Sequence, residues 1–418
     1  MIPADVAEAE ILGLVAPLHP ERDREVVPLS QAMGRILTAP IPSPLDFPHW
    51  DNSAMDGYAV RFEDVQHATA ADPATLTVIE EIPAGKPPQQ TVEPGQAARI
   101  LTGSMVPDGA DTIVIQEETQ RQGNHVRILA APQPQAFVRH RASFHRMGEP
   151  LLAAGAVLQG PEIAVLAAAQ CAQVPVYRRP RVALLSTGDE LVTPDRPLQP
   201  GQIVDSNQYA LAALVQKAGA DAVPLGIVPD QPERLKAAIT DAIAQADMVL
   251  SSGGVSVGDY DYVDQILTDL GATLHIRAVA VKPGKPLTVA TISSFAAAPS
   301  SSAALYFGLP GNPVSALVSF WRFVEPALRR LSGRSQGWGP VFVPARSQQT
   351  LRAGGRRETY LWGQVHLTEA GFEFSLSGGS HSSGNLINLA GTNALGIVPM
   401  GTTQIDAGDS MRVMLPGF

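Results

Sequence analysis

Between residues 161 and 331 the apolar positions follow two rhythms in turn. Short continuous runs, Val182–Leu185, Ala222–Val228, Met248–Leu250, Ile276–Val281, Leu287–Ala290 and Leu305–Leu309, predict buried strands. Between them the spacing changes to three and four. Leu211, Leu214, Val215 and Ala218 form one helical stripe ended by Gly219. Leu235, Ala238, Ile239, Ala242 and Ile243 form a second, and Val263, Ile266, Leu267 and Leu270 a third, closed by Gly271. A longer helix is predicted from Pro313 to Leu331, with Asn312 as its cap. Ser206 or Asn207, Asp230 with Glu233 three residues on, and Asp261 are the other expected caps. Strands that are apolar throughout, alternating with helices, predict a mostly parallel sheet covered on both faces. The loops after three strands begin near Ser186, Ser251 and Pro310, so the reading puts all three on the sheet's carboxyl edge, where such folds take ligands.

Elsewhere the pattern differs. Residues 46–145 carry Pro, Gly and short alternating stretches, Thr75–Ile79, Ala98–Leu101, Thr112–Ile115 and His125–Leu129, which predict a small β-rich lobe. Residues 1–40 and 161–172 have helical spacing. After Ser332 short strands are expected at Gln336–Val343, Glu358–Leu367 and Phe372–Ser377, giving a C-terminal β domain. Ala296–Ala304 has the composition of a surface loop.

A chain of 418 residues exceeds one ordinary core, so several domains are expected. No apolar run is long enough to span a bilayer, and the first residues carry no secretory pattern. The one cysteine, Cys171, reads as a buried inert thiol, and a reducing cytoplasm is the expected location. Net charge is −10 without a long basic tract, which argues against nucleic acid as a partner. In so acidic a chain an anion site must gather positive charge locally. Lys282-Pro283-Gly284-Lys285-Pro286 places two lysines on one short turn and is the first candidate.

Ser251-Ser252-Gly253-Gly254-Val255-Ser256-Val257-Gly258-Asp259-Tyr260-Asp261-Tyr262 links a strand to a helix. Small residues there bring backbone N–H groups close to a phosphate, and Asp259 and Asp261 sit where Mg²⁺ would balance it. Gly254–Gly258 also matches Gly-x-Ser-x-Gly, the hydrolase elbow. The loop is longer than an elbow turn, and the nearest downstream histidine, His275, begins a predicted strand, so the phosphate reading is preferred. Ser186-Thr187-Gly188-Asp189-Glu190-Leu191 admits two readings, a helix start at Asp189 or a carboxylate at the sheet edge. Gly308-Leu309-Pro310-Gly311-Asn312-Pro313-Val314-Ser315 shapes a helix entrance at which Ser315 can donate. Asp51-Asn52-Ser53-Ala54-Met55-Asp56-Gly57-Tyr58-Ala59 and Arg99–Ser104 are polar turns whose residues name no reaction by themselves. No zinc pattern and no Walker-type loop is present.

Six of these segments, Asp51–Ala59, Leu101–Ser104, Ser186–Leu191, Ser251–Tyr262, Lys282–Pro286 and Gly308–Ser315, occur in the order found in the molybdopterin molybdenumtransferase family, which the chain resembles over nearly its whole length. Gly355-Arg356-Arg357-Glu358 and Asn393-Ala394-Leu395 before Val398-Pro399 are weaker matches. The resemblance implies a multidomain α/β protein: a parallel-sheet molybdopterin-binding domain flanked by helices (179–331), a β-rich inserted lobe (46–145), a C-terminal β-barrel-like domain (332–418) and a discontinuous linker and dimerisation domain (1–45 with 146–178). It implies an elongated homodimer that inserts molybdate into adenylylated molybdopterin with Mg²⁺, releasing AMP and the molybdenum cofactor. The upstream adenylyltransferase is a further implied partner. Carried over position by position, it makes Asp51, Thr102, Glu190, Asp230 and Asp261 catalytic, with the last three on Mg²⁺. It gives substrate binding to Ser251, Ser252, Gly253, Gly254, Lys282, Lys285, Pro310, Pro313, Ser315 and Arg356. One departure is Pro150 in Gly148-Glu149-Pro150, where the family carries aspartate. Another is Gly384-Asn385, where relatives are often more basic or hydroxylic. Molybdopterin adenylylation and a non-catalytic scaffold are the alternative functions.

Overall fold

The computed structural model describes residues 1–254, 262–292 and 303–417. The chain forms two compact units. One comprises Met1–Ala39, Ala154–Gly160 and Gln173–Phe418; the other comprises Pro40–Ala153 and Pro161–Ala172.

The first unit is built on a six-stranded sheet. Its elements in chain order are β1 (Arg181–Thr187), α1 (Asn207–Lys217), β2 (Asp221–Val228), α2 (Pro232–Gln245), β3 (Met248–Ser252), α3 (Tyr262–Asp269), β4 (Thr273–Ala278), β5 (Pro286–Ile292) and β6 (Ala304–Leu309). The spatial order is β2-β1-β3-β6-β5-β4. Pairing is parallel from β2 to β6 and antiparallel at β5 and β4. Alternate residues of each strand face opposite cores. Val182, Leu184, Met248, Leu250, Leu305 and Phe307 pack with α1 through Leu211 and Val215. Ala183, Leu185, Val249 and Tyr306 pack with α2 and α3 through Leu235, Ile239, Val263 and Ile266. Burial on both faces is why these strands are apolar throughout, and each large side chain so buried stabilises by about 1.5–3 kcal/mol. Val182 pairs with Met248 and Met248 with Leu305, so β1, β3 and β6 end level. The expected common edge of the three loops is therefore formed.

The helix after β6 runs through Pro313–Ser319, a π-turn at Phe320–Val324 and Glu325–Leu331. Beyond it, strands Val281–Lys282, Glu358–Thr368, Gly371–Leu376, Val341–Ser347, Ser410–Leu415 and Ala394–Val398 lie in that order. Glu358–Thr368 also pairs with Ala394–Val398, which closes the sheet into a barrel.

Several expectations are corrected. The run Ile276–Val281 is not one strand. Ala280 N–H donates to Ile2 O at 2.7 Å, which draws the chain away, and Val281–Lys282 joins the barrel beside Glu358. Residues 1–40 hold one α-helix, Ala4–Leu14; Arg24–Pro28, with β-branched Val26 and Val27, is a strand paired with Gln173–Tyr177. The strand expected from Gln336 begins at Val341. Pro340, just before it, lacks the N–H a ladder needs. Asp189 starts no helix: Leu191–Val192 is a short strand, and Pro194 and Pro197 downstream oppose a helix there. Ser206 makes no side-chain cap on α1; Asp205 accepts from Gln208 N–H at 3.2 Å instead. Nor does Asn312 cap its helix with a side-chain bond. The cap expected at Asp261 and residues 296–302 of the expected surface loop lie outside the described residues.

The second unit carries a six-stranded sheet, ordered Thr112–Ile115, Gly57–Val60, Gln96–Ile100, Ala74–Ile82, His125–Ile128 and Thr119–Gln122. Tyr58, Val60, Leu76 and Val126 fill one of its faces; Ala59, Ile82, Ile100 and Ile113 fill the other. Cys171, just past the helix Gly160–Ala168, is half-buried rather than buried as expected, and burial pushes its thiol pKa up.

Candidate functional site

The carboxyl edge of the sheet is closed around glycines. Ser186 Oγ and Ser252 Oγ lie 3.2 Å apart beneath it, and Tyr306 donates to Ser251 Oγ at 2.6 Å. Gly253 and Gly254 both have positive φ, +92° and +69°. A Cβ on Gly253 would stand 2.4 Å from Thr187 O, and one on Gly311 would stand 3.6 Å from Gly253 Cα. At Gly253 only glycine permits both that backbone and that approach, whereas a Cβ on Gly311 would be in ordinary contact. Asn207 Nδ2 donates to Gly311 O at 2.9 Å and ties the third loop to the same edge. Pro310 is buried there, and Pro313 opens the helix that carries the buried Ser315.

Beside this edge three carboxylates gather on two loops. Asp230 N–H donates to Asp189 Oδ1 at 3.2 Å. Burial, then the charges of Asp189 and Glu190, push the Asp230 carboxyl above the ordinary range. The capping box expected from Asp230 and Glu233 is not formed; Gln231 is the cap residue, without a side-chain bond. The repulsion among these carboxylates is of the kind a bound cation relieves. Among the described residues no three such groups converge on one point, and Asp261 lies outside them, as do Asp259 and the Ser256 of the elbow motif. His275, weighed as that serine's partner, lies 2.8 Å from Thr291 Oγ1 across the sheet.

On the barrel side of the helix entrance lies a cleft of about 520 Å³ lined by Lys282, Lys285, Ser315, Arg352, Arg357 and His381, among others. Lys282 is exposed and Lys285 half-buried. Among the described residues none of these four cations has a carboxylate ion-pair partner. Gly284, at φ +105°, lets the lysine turn lie against the helix, since a Cβ there would stand 2.9 Å from Ser319 Oγ. Val314 N–H donates to Ser383 O at 3.1 Å, bringing the 382–384 segment to the cleft mouth. Arg356 is exposed and does not line this cleft; Arg352 and Arg357 do. Both were missed in the sequence. Arg357 was in view within Gly355–Glu358, but alternation along the strand entrance decides which arginine turns inward.

Asp51 and Thr102 lie in the other unit. Asp51 Oδ1 accepts from Arg141 N–H at 2.7 Å, and its Oδ2 lies 3.0 Å from His140 Nδ1. Burial opposes its ionisation, but these partners outweigh burial and hold the carboxyl below the ordinary range. Thr102 contacts a different carboxylate, Asp56, through both its amide and its hydroxyl. Pro150 is exposed and pairs with Pro42; Glu149 beside it accepts from Arg146 N–H at 3.3 Å.

Three family descriptions match the chain in succession: MoeA N-terminal region (domain I and II) over residues 2–169, probable molybdopterin binding domain over 183–330, and MoeA C-terminal region (domain IV) over 344–415. A molybdopterin molybdenumtransferase of Nostoc sp. is 58% identical over 404 residues, 97% of this chain and 91% of its own. One from Haemophilus influenzae is 34% identical over 93% of each chain. The crystal structure of a molybdopterin biosynthesis moeA protein from Pyrococcus horikoshii superposes with a TM-score of 0.82 at 28% identity, covering 99% of this chain and 100% of the other.

Proposed function

The chain belongs to the molybdopterin molybdenumtransferase family, and on that premise we propose that it transfers molybdenum from molybdate to adenylylated molybdopterin, releasing AMP and yielding the molybdenum cofactor. The observation that carries the reading is the cleft in which Lys282, Lys285, Arg352 and Arg357 meet Ser315 without a carboxylate partner among the described residues. A small dianionic oxyanion supplies the missing charge and accepts from all of these donors.

The glycine edge at Gly253, Gly254 and Gly311 admits a phosphate close to the backbone, with Ser251 and Ser252 beneath. The lysine turn and Ser315 hold molybdate at the neighbouring cleft, so both substrates sit on one domain edge and the reaction becomes intramolecular in effect. Glu190, Asp230 and Asp261 are the residues that would hold Mg²⁺, and the mutual repulsion at Asp230 supports this. When bound, the cation neutralises phosphate charge. Asp51 and Thr102 remain catalytic candidates on the lobe, joined by Asp56 through Thr102, and Arg356 remains a substrate-binding candidate at the strand entrance.

We further propose a cytoplasmic homodimer that receives its substrate from the adenylyltransferase of the preceding step. The lobe exposes Trp50, Phe137, Phe144 and Met147, apolar side chains that a second copy would cover. Among the described residues no helix is long and apolar enough to cross a membrane. The test is reconstitution: purified protein, adenylylated molybdopterin, Mg²⁺ and molybdate are incubated and then mixed with a cofactor-free molybdoenzyme. Restored activity that requires molybdate is expected. Restoration that requires ATP and free molybdopterin instead would assign the preceding step.

A further inference from the structure

Arg322 lies within the π-turn Phe320–Val324, on the same helix as Ser315 and two turns further on. It is 4% exposed. Its guanidinium is shared between two elements. Nη1 donates to Glu8 of the N-terminal helix Ala4–Leu14, and Nε donates to Tyr360 Oη at 2.9 Å. Tyr360, fully buried, donates its own hydroxyl hydrogen bond to Glu358 Oε1. Tyr360 is on the barrel strand Glu358–Thr368, whose Thr359, Tyr360 and Leu361 line the oxyanion cleft next to Arg357.

The cleft therefore has two walls, the helix entrance with Ser315 and the barrel strand with Arg357. The Arg322–Tyr360 bond joins them from behind. A π-turn shifts the helix register by one residue, and such turns recur at functional positions. Here the residue that reaches across lies within that turn. A guanidinium is planar and rigid, so it fixes the spacing between its two partners, which a flexible ammonium does not.

We propose that Arg322, acting through Tyr360, is a positioning residue that sets the width of the oxyanion cleft; the inference rests on the molybdate reading above. The two arms of the guanidinium do different work. The arm to Tyr360 aligns the cleft, and the arm to Glu8 anchors the N-terminal helix.

The experiment titrates molybdate into the full-length protein by calorimetry, with the thermal midpoint of each variant measured in parallel. Tyr360→Phe keeps every charge and the ring, and removes the hydroxyl with both its bonds, the link to Arg322 and the one to Glu358. It weakens molybdate binding about tenfold and raises KM for molybdate with kcat within about twofold of the parent. Arg322→Lys keeps the charge but cannot span both partners, and shows the same loss of affinity. Glu8→Gln lowers the thermal midpoint and leaves molybdate affinity within about twofold. Tyr360→Phe binding as tightly as the parent overturns the proposal, as does Glu8→Gln weakening molybdate as much as Tyr360→Phe. If the parent protein itself binds no molybdate, the transferase reading falls as well. If the parent binds and Tyr360→Phe equals it, only the positioning role falls.

Discussion

Thr102 donates both its amide N–H and its hydroxyl to one oxygen of Asp56, Oδ1, each at 2.7 Å. Antiparallel pairing of Gly57 with Ile100 sets the two residues opposite one another at the strand ends. The bond fixes the 101–104 turn, whose Ser104 O accepts from Ser53 N–H at 3.0 Å. The Thr102 hydroxyl, then its amide, hold the Asp56 carboxyl below the ordinary range against a small opposing effect of burial, with Arg99 adding to the depression. A lowered carboxylate pKa stabilises the fold above the ordinary value of about 4, and that contribution is lost as pH falls through the lowered value. Asp56→Asn is therefore less stable than the parent at pH 7, and the gap closes on acidification. Urea unfolding at a series of pH values checks this. Thr102→Val lowers turnover about tenfold if the turn presents substrate groups.

Asp230 behaves in the opposite sense. Its pKa is raised, so the stability tied to its protonated form is present below the ordinary value and lost as pH rises through the raised one. Asp230→Asn removes that repulsion. It leaves the protein at least as stable as the parent at pH 7 and lowers Mg²⁺ affinity about 10- to 100-fold. Thermal unfolding and a Mg²⁺ titration read the two effects separately. A variant that loses stability and keeps Mg²⁺ binding would remove Asp230 from the metal site.

Lys285 is half-buried in a cleft that also holds Lys282, Arg352 and Arg357. Lys285→Met raises the KM for molybdate about 10- to 100-fold, the worth of one charge-assisted hydrogen bond. In the parent, raising ionic strength weakens molybdate binding, and in the variant the slope is shallower. Steady-state kinetics across a salt series tests both statements.

Gly253→Ala would drive a Cβ to 2.4 Å from Thr187 O at a φ of +92°. Backbone cannot yield there as a side-chain tip would, so the substitution costs about 1–3 kcal/mol and opens the phosphate edge. A lowered thermal midpoint together with weaker AMP binding is expected. Gly271, also at positive φ but with open space around its Cβ position, is the control, and its alanine variant keeps AMP affinity.

The alternation of strand and helix was readable because burial on both faces makes β1, β3 and β6 apolar throughout. The three edge loops were readable because they follow those strands. Local spacing did not reveal what depends on distant partners. Asp230 has the spacing of a cap residue, yet it faces Asp189 and Glu190 forty residues earlier in the chain. Asp51 and Asp56 stand five apart in one polar turn, and only the strand register shows that Thr102 meets Asp56. Tyr360 and Arg322 give no pairing signal in the sequence: they stand thirty-eight residues apart, Arg322 within an apolar helical run and Tyr360 at the start of a strand, and only the packing of helix against barrel brings them together. Val281–Lys282 left its expected strand because Ile2, at the far end of the chain, claims Ala280.

The central claim is transfer of molybdenum at the edge formed by the glycine loops and the lysine turn. Its most direct test is AMP release from adenylylated molybdopterin by the purified full-length protein with Mg²⁺, measured with and without molybdate. The account predicts AMP release that depends on molybdate and is lost in Lys285→Met at low molybdate, with Pro150 tolerated. Tight substrate binding with no AMP release at any molybdate concentration would contradict it and leave a molybdopterin-binding scaffold.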